Sequence, residues 1–324
     1  MNVFTSLWAC LAGFLLDLLL GDPQWFRFHP IRLIGGWIDF LESILRKIFP
    51  KNKWGEFFAG FVLVLLVVGI STGVPFLMLR FFYFLHPAAG ICMEAVFCYF
   101  LFAAKSLKDE SMKVYEALEQ EGLEAGRKAV SRIVGRDTQK LDEAGVTRAA
   151  VETIAENTSD GVIAPMFYML LGGAVGGFFY KAVNTMDSMV AYKNETYFYF
   201  GKAAARTDDI CNFIPARISA FFMLLASVLD PALDGRLAFR IFLRDRYKSA
   251  SPNSTQTESV CAGALRMELL GDAWYFGELY HKETIGEPLE PAKTRKIKDA
   301  NRLLYETAVL AMAAGGMLKY ILIS

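Results

Sequence analysis

The sequence predicts an all-α fold: a polytopic integral membrane helical bundle, 1–324, with a soluble helical insertion at 105–160 and a polar, loop-rich insertion at 231–302, both cytoplasmic. Three observations predict it. Hydrophobic residues make up 54% and aromatics 14% of the 324 residues, above the roughly 45–50% apolar content of soluble domains. The excess is clustered into stretches near the ~20 residues that a membrane-crossing helix needs. Lys and Arg avoid those stretches and collect unequally in the connections between them.

Six segments carry the pattern. The first, 3–20, has Asp17 in its last turns, with no positive start and no small-residue cleavage site before Gly21, and reads as a retained anchor. The second, 57–79, contains the uninterrupted run Phe61-Val-Leu-Val-Leu-Leu-Val-Val, and the third covers 87–104. Residues 105–160 read as soluble helix, because Leu107, Val114 and Leu118 alternate with charges, and Gly122 and Gly135 punctuate the remainder of the stretch. The fourth segment, 161–183, holds Pro165 and the pairs Gly172-Gly173 and Gly176-Gly177, so it either crosses or re-enters. The fifth is 213–230. After it comes a polar stretch with loop signals at Ser251-Pro252-Asn253-Ser254 and Pro288–Pro291, then a sixth segment, 303–323, whose apolar part from Ala308 carries only Lys319 as a charge.

With all six crossing, the first, third and fifth connections hold 6, 9 and 12 Lys and Arg, against 1 and 3 in the second and fourth. The first set should therefore face the cytoplasm and both termini the other side. Lys plus Arg equal Asp plus Glu at 34 each, leaving no net field to attract a polyanion, which disfavours nucleic acid as a partner. The five cysteines, Cys10, Cys92, Cys98, Cys211 and Cys261, are far apart and lack metal-ligand spacing, so neither disulfides nor zinc should hold the fold.

Four polar clusters beside the apolar segments could carry chemistry. Gly21-Asp22-Pro23 with His29-Pro30 and Arg32 places a carboxylate, an imidazole and a guanidinium close together, suited to a metal-bound phosphate; an ordinary glycine turn at an interface explains it equally well. Glu152-Thr-Ile-Ala-Glu156-Asn157-Thr-Ser159-Asp160-Gly161 puts two glutamates one helical turn apart, where their repulsion needs a cation, a proton or water. Asn184, Asp187 and Ser188 form a stripe at i, i+3 and i+4, followed by Tyr192-Lys193-Asn194. Arg206, Asp208, Asp209 and Asn212 then lead into Pro215-Ala-Arg217. Ion pairs at a loop would account for either of the last two stripes alone, but carboxylates at membrane depth are costly without a function. No P-loop, dinucleotide fingerprint, H-E-x-x-H or G-x-S-x-G is present, and His29, His86 and His281 are too scattered for a triad.

Taken in order, these pieces resemble the adenosylcobinamide-phosphate synthases of cobalamin biosynthesis, the CobD/CbiB family. The matching residues are Gly21-Asp-Pro with His29-Pro-Ile-Arg32, Glu152 to Gly161, Asn184-Thr-Met-Asp-Ser-Met189 with Tyr192-Lys-Asn194, Ala203-Ala-Ala-Arg-Thr-Asp-Asp209 with Asn212 and Pro215-Ala-Arg217, and Ser251-Pro-Asn253 with Glu258 and Ala262-Gly-Ala-Leu265. Two positions depart from the family pattern: Ser254-Thr255-Gln256 stands where Ala-Gly-Trp is usual, and the usual glycine pair near Leu270 is only Gly271.

The resemblance implies a multi-pass protein of the cytoplasmic (inner) membrane, a ligase that joins a propionate of adenosylcobyric acid to (R)-1-amino-2-propanol or its O-phosphate. Its implied partners are that corrinoid, the aminopropanol, ATP with Mg²⁺ and the lipid bilayer; a homo-oligomer is left open. On the matching positions, Glu156, Asp160, Asp187 and Asp209 are the candidate catalytic residues, and Asp22, Asp187, Asp208 and Asp209 the candidate metal ligands. His29, Arg32, Lys193, Arg206 and Arg217 would hold phosphates, and Asn157, Asn184, Asn194, Asn212 and Asn253 would orient amides and the carboxylate. The rival readings are a membrane transporter and a non-catalytic sensor or partner protein with a corrinoid-like cavity. One expectation conflicts with the six-span topology, which sets 184–212 opposite the cytoplasm, where ATP is. The glycine-rich segment should therefore be broken or re-entrant, or the Asn184 stripe should line a cavity open to the cytoplasm.

Overall fold

The computed structural model describes residues 3–23, 26, 28–192 and 194–324. The elements, in order, are α1 (Val3–Leu20), α2 (Pro30–Ile48), α3 (Lys53–Leu85), α4 (Pro87–Leu101), α5 (Ala104–Gln120), α6 (Leu123–Val130), α7 (Glu143–Asn157), a π-helical turn (Thr158–Ile163), α8 (Ala164–Val190), α9 (Lys202–Leu229), α10 (Gly235–Asp245), α11 (Ser254–Ala264), β1 (Glu268–Leu270), β2 (Ala273–Tyr275), β3 (Glu278–Tyr280), β4 (Thr284–Gly286) and α12 (Arg295–Ile323). Among the described residues, five helical stretches are long and apolar enough to cross a membrane: Lys53–Leu85, Pro87–Gln120, Glu143–Val190, Lys202–Leu229 and Arg295–Ile323. The chain is an all-α, multi-pass membrane protein. The first of the six apolar segments is the apolar helix α1, 18 residues long.

The chain divides into two compact units, one made of 1–103, 164–212 and 314–324, the other of 104–163 and 213–313. In the first unit, α1 packs on α4 by backbone approach at Gly13, where a Cβ would lie 2.5 Å from the Cβ of Cys98 and 2.9 Å from the Ala95 carbonyl. Local sequence starts three of its helices. Pro30 and Pro87 open α2 and α4 without needing a donor, and the preceding His29 and His86 accept from the amides of Ile31 and Ala88. Asn52 caps α3 by accepting from Gly55 at 2.8 Å.

The glycine-rich segment is broken: Gly172 and Gly173 leave helical geometry, Gly173 at φ +62°. A carboxylate supports the break from α4. Glu94, fully buried, accepts from the Tyr83 hydroxyl at 2.7 Å and from the amide of Ala174, the first residue past the break, at 3.4 Å. An interrupted helix frees backbone donors inside the membrane, and a buried carboxylate satisfies one of them.

In the second unit, α11 is buried on every side although it reads Ser-Thr-Gln-Thr-Glu. Thr255 and Gln256 donate to the Arg246 carbonyl, at 2.8 and 3.1 Å, and Gln256 also donates to the Pro252 carbonyl at 3.2 Å. The amide at 256 thus ties the loop before α11. Beyond α11 the polar stretch contains two short antiparallel ribbons, β1 with β4 and β2 with β3. Phe276-Gly277 closes the inner one with positive φ at both residues, 52° and 81°, the two-residue turn that matches strand twist. Leu270 and Gly271 also have positive φ, 63° and 88°, a backbone that a glycine pair serves without strain.

Asp245 fastens this unit. It is fully buried at the end of α10, takes both Nε and Nη2 of Arg244 at 2.8 Å and Lys248 Nζ at 3.0 Å, and accepts from the Gly286 amide at 2.9 Å. Burial pushes its carboxyl up, but these donors outweigh that and hold it at about 2. A carboxyl with a lowered folded pKa stabilises above its unfolded pKa of ~3.9 and loses that contribution as pH falls toward 2. Asp245→Asn is expected to cost about 2 kcal/mol at pH 7 and to flatten the stability loss between about pH 4 and 2, read from melting curves of the purified protein in detergent.

Candidate functional site

The first unit carries six of the expected residues on α8 and α9: Asn184, Asp187, Arg206, Asp208, Asp209 and Asn212. Tyr180 and Tyr168 stack at 5.3 Å between centroids, and the Tyr180 hydroxyl lies 2.8 Å from Asn212 Oδ1. Asn212 donates from Nδ2 to Asp208 Oδ2 at 2.9 Å, and Asn184 stands near the same carboxylate. The other oxygen, Asp208 Oδ1, is buried with no hydrogen-bond partner among the described residues. One amide thus orients a carboxylate whose second oxygen makes no hydrogen bond among the described residues. Asp209, next in sequence, lies 3.3 Å from Arg206, whose side chain is largely exposed. Asp187 is half-buried one turn beyond Asn184.

Other expected residues of this unit have local work. The His29 ring is buried, accepts from Ile31 with Nδ1 and faces Asp22 Oδ1 with Nε2 at 3.2 Å, so the proton sits on Nε2. Arg32 is exposed on the first turn of α2. Asn194 accepts from the Tyr197 amide at 3.0 Å and starts the turn leading to Phe200. That turn is clamped by Arg46, which donates to the Thr196 carbonyl at 3.0 Å with its guanidinium 4.2 Å from the Phe200 ring, and by Gly60, where a Cβ would collide with the Phe200 carbonyl. Lys193 lies outside the described residues.

The second unit holds the glutamate cluster. Glu152 is buried, paired with Arg136, and accepts from the Leu270 amide at 2.7 Å, so it pins β1 to α7. Glu156 is exposed one turn later, and Asn157 bonds back to the Thr153 carbonyl at 3.0 Å. The helix then widens into the π-helical turn that carries Ser159 and Asp160, a distortion frequent at functional sites. Ser159 meets Ser219 of α9 at 3.2 Å. Arg217, also on α9, donates to Asn253 Oδ1 at 3.3 Å, bringing together two expected residues 36 positions apart.

Sequence reading gave no site role to Glu258. It is buried on α11, and its Oε2 has no hydrogen-bond partner among the described residues. Burial, then the nearby Glu156 and Glu152, push its carboxyl well above the usual range, against the pull of Lys282 and Arg136. Such a group binds more protons folded than unfolded, so it lowers stability as pH rises above ~4.3. Glu258→Gln is expected to match the parent near pH 4 and to exceed it increasingly at higher pH, measured as melting temperature across that range. Equal pH dependence of both proteins contradicts a neutral Glu258. Arg136, Glu94, Tyr168 and Tyr180 also escaped notice, because each sits in an unremarkable stretch and gains meaning only from its partner.

Among the described residues no three His, Cys, Asp or Glu side chains stand close enough to hold a metal by themselves. A dedicated protein cage is thus not built here. Magnesium seldom uses one; it binds through one or two carboxylates plus water and substrate phosphates, and Asp208, with its unused oxygen beside Asp209, fits that mode.

The architecture defines a multi-pass membrane protein that carries clusters of acid, amide and guanidinium groups. The family model for CobD/Cbib protein matches residues 10–304. The chain is 45% identical over 312 residues to the cobalamin biosynthesis protein CobD of Geobacter metallireducens, covering 96% of each. Against the protein of that name from Clostridium perfringens it is 41% identical over 311 residues, 96% of this chain and 97% of the relative; against that of Listeria monocytogenes it is 43% identical over 304, 93% and 94%. The chain belongs to the CobD/CbiB family of cobalamin biosynthesis proteins. No solved structure matches it.

Proposed function

We propose that the chain is the ATP-dependent ligase of its family, an enzyme of the cytoplasmic membrane that forms the amide between adenosylcobyric acid and (R)-1-amino-2-propanol or its O-phosphate. A carboxylate resists attack by an amine until one oxygen becomes a leaving group. Transfer of the γ-phosphoryl group of ATP to the propionate gives an acyl phosphate and ADP; the amine nitrogen then attacks the carbonyl carbon, the C–O bond to phosphate breaks, and the nitrogen gives up a proton. Magnesium, when bound with ATP, neutralises phosphate charge in the first step.

Asp208 and Asp209 are assigned to magnesium, and Asn184 and Asn212 to holding the Asp208 carboxylate in position. The observation that carries the reading is the buried Asp208 Oδ1, which has no hydrogen-bond partner among the described residues while Asn212 holds Oδ2. Arg206 and Arg217 are assigned to phosphates, while Glu156, Asp160 and Asp187 remain the candidates for taking the amine proton. To check these roles, Asp187→Asn and Asp209→Asn are purified folded and assayed for amide product. Losses of at least a hundredfold are expected for a metal ligand or base; near-normal turnover by both variants removes them from the site.

A further inference from the structure

Helix α10 has a face that its own unit does not use. Its inner side, Leu237, Ala238, Ile241 and Asp245, is buried, and packs so tightly on α11 that a Cβ at Gly263 would stand 2.5 Å from the Ala238 Cα. Its outer side exposes Phe239 at 55%, Leu243 at 52% and, just past the helix, Tyr247 at 66%. Steps of four residues put these three in one stripe. Arg236 and Arg240 are exposed beside it, and no ion pair or hydrogen bond engages either among the described residues. Arg244, by contrast, is committed to Asp245 and Glu287.

The place of α10 in the chain says what covers this face. The apolar helix α9 ends at Leu229 with Val228 and Leu229 both exposed, and α10 begins at Gly235. The five intervening residues span at most about 20 Å, and Asp230, paired with Arg302 at 2.8 Å and accepting from the Leu233 amide at 3.1 Å, folds that link back on itself. So α10 starts within reach of the headgroup layer at the end of a membrane-crossing helix. An aromatic and aliphatic stripe flanked by arginines is the composition of a helix that lies in that layer. The connection from 231 to 302 also carries 12 Lys and Arg, which assigns it to the cytoplasmic side, where the leaflet is anionic.

We propose that the outer face of α10 rests on an anionic lipid surface, with Phe239 and Leu243 entering the boundary between headgroups and acyl chains and with Arg236 and Arg240 meeting lipid phosphates. The helix is then a lipid-reading foot for the second unit, and its docking depends on acidic lipid.

The test uses the full-length protein in nanodiscs. Cys92 is the exposed one of the five cysteines, so a Cys92→Ala background with Leu243→Cys accepts an environment-sensitive fluorophore at one accessible position. Emission and quenching by lipids brominated near the headgroup are compared in phosphatidylcholine discs with and without phosphatidylglycerol. Two surface cations of about 1 kcal/mol each correspond to a roughly thirtyfold change in the docked-to-undocked ratio. Strong quenching is expected only with phosphatidylglycerol, lost on Arg236→Gln with Arg240→Gln and kept on replacement of both by Lys. Three results overturn the proposal: equal quenching in both discs, a label in water in both, or a label shielded from water but unquenched by lipid, which indicates cover by protein.

Discussion

Asp208→Asn is expected to reduce amide formation by about 10²–10³-fold while leaving the melting temperature of the purified protein nearly unchanged, as removal of a preorganised charge-stabilising group does elsewhere. The two parts of the prediction have separate causes. Asparagine is isosteric and retains an oxygen to accept from Asn212 Nδ2, which now donates to Asp208 Oδ2 at 2.9 Å, so packing between α8 and α9 survives. The variant loses the negative charge and the unused oxygen at Oδ1, which are what a magnesium ion on the phosphates of ATP would take. Asn212→Asp is a useful counterpart, because it sets a second carboxylate against Asp208 and removes the donor that orients it. A variant with full turnover at saturating ATP would show that Asp208 serves only the packing of two helices.

Gly173→Ala is expected to cost more than 3 kcal/mol of stability and to cut the yield of monodisperse protein severely. The left-handed conformation at φ +62° alone costs an alanine about 1–2 kcal/mol. The new Cβ would also stand 2.5 Å from Glu94 Oε1 and 2.7 Å from Ser6 Oγ, and overpacking of a buried site adds typically 1–3 kcal/mol. Glu94 cannot move freely, since it is held by Tyr83 and by the Ala174 amide. The steric part of the effect should couple to Glu94: Gly173→Ala combined with Glu94→Ala should cost less than the two single changes added together. Additive losses contradict the direct contact.

Much of the fold was legible because lipid imposes one-dimensional rules. Runs such as Phe61 to Val68 need no partner to be read as membrane helix, and Gly172-Gly173 announced a weak point that the structure realises as a break. The first segment was legible as apolar, and the structure makes it α1 with the same bounds, Val3–Leu20. The ribbons at 268–286 were hidden, since strands of three residues carry too little periodicity to register beside Gly, Asp and Lys. Residue types at the candidate site were legible from their clustering, whereas their burdens were not. Glu152 and Glu156 looked equivalent one turn apart, yet Glu152 is consumed by Arg136 and the Leu270 amide, while Glu156 is exposed. His29-Pro30 suggested chemistry, and the identical arrangement at His86-Pro87 shows that the pair also serves to start a helix. Glu94 could not be singled out beforehand, and Glu258 matched the family pattern without a role, because a lone glutamate acquires meaning only when burial and a distant neighbour are known.

The most direct measurement is mass spectrometry of the corrinoid after incubation of the purified protein with adenosylcobyric acid, (R)-1-amino-2-propanol or its phosphate, ATP and magnesium. The expected result is a corrinoid heavier by the amine less one water, with one ADP and one phosphate released per amide, and no product when ATP is omitted. An unchanged corrinoid under these conditions, with the protein shown folded and with uptake of the same corrinoid by reconstituted vesicles, would contradict ligase activity and identify a carrier instead.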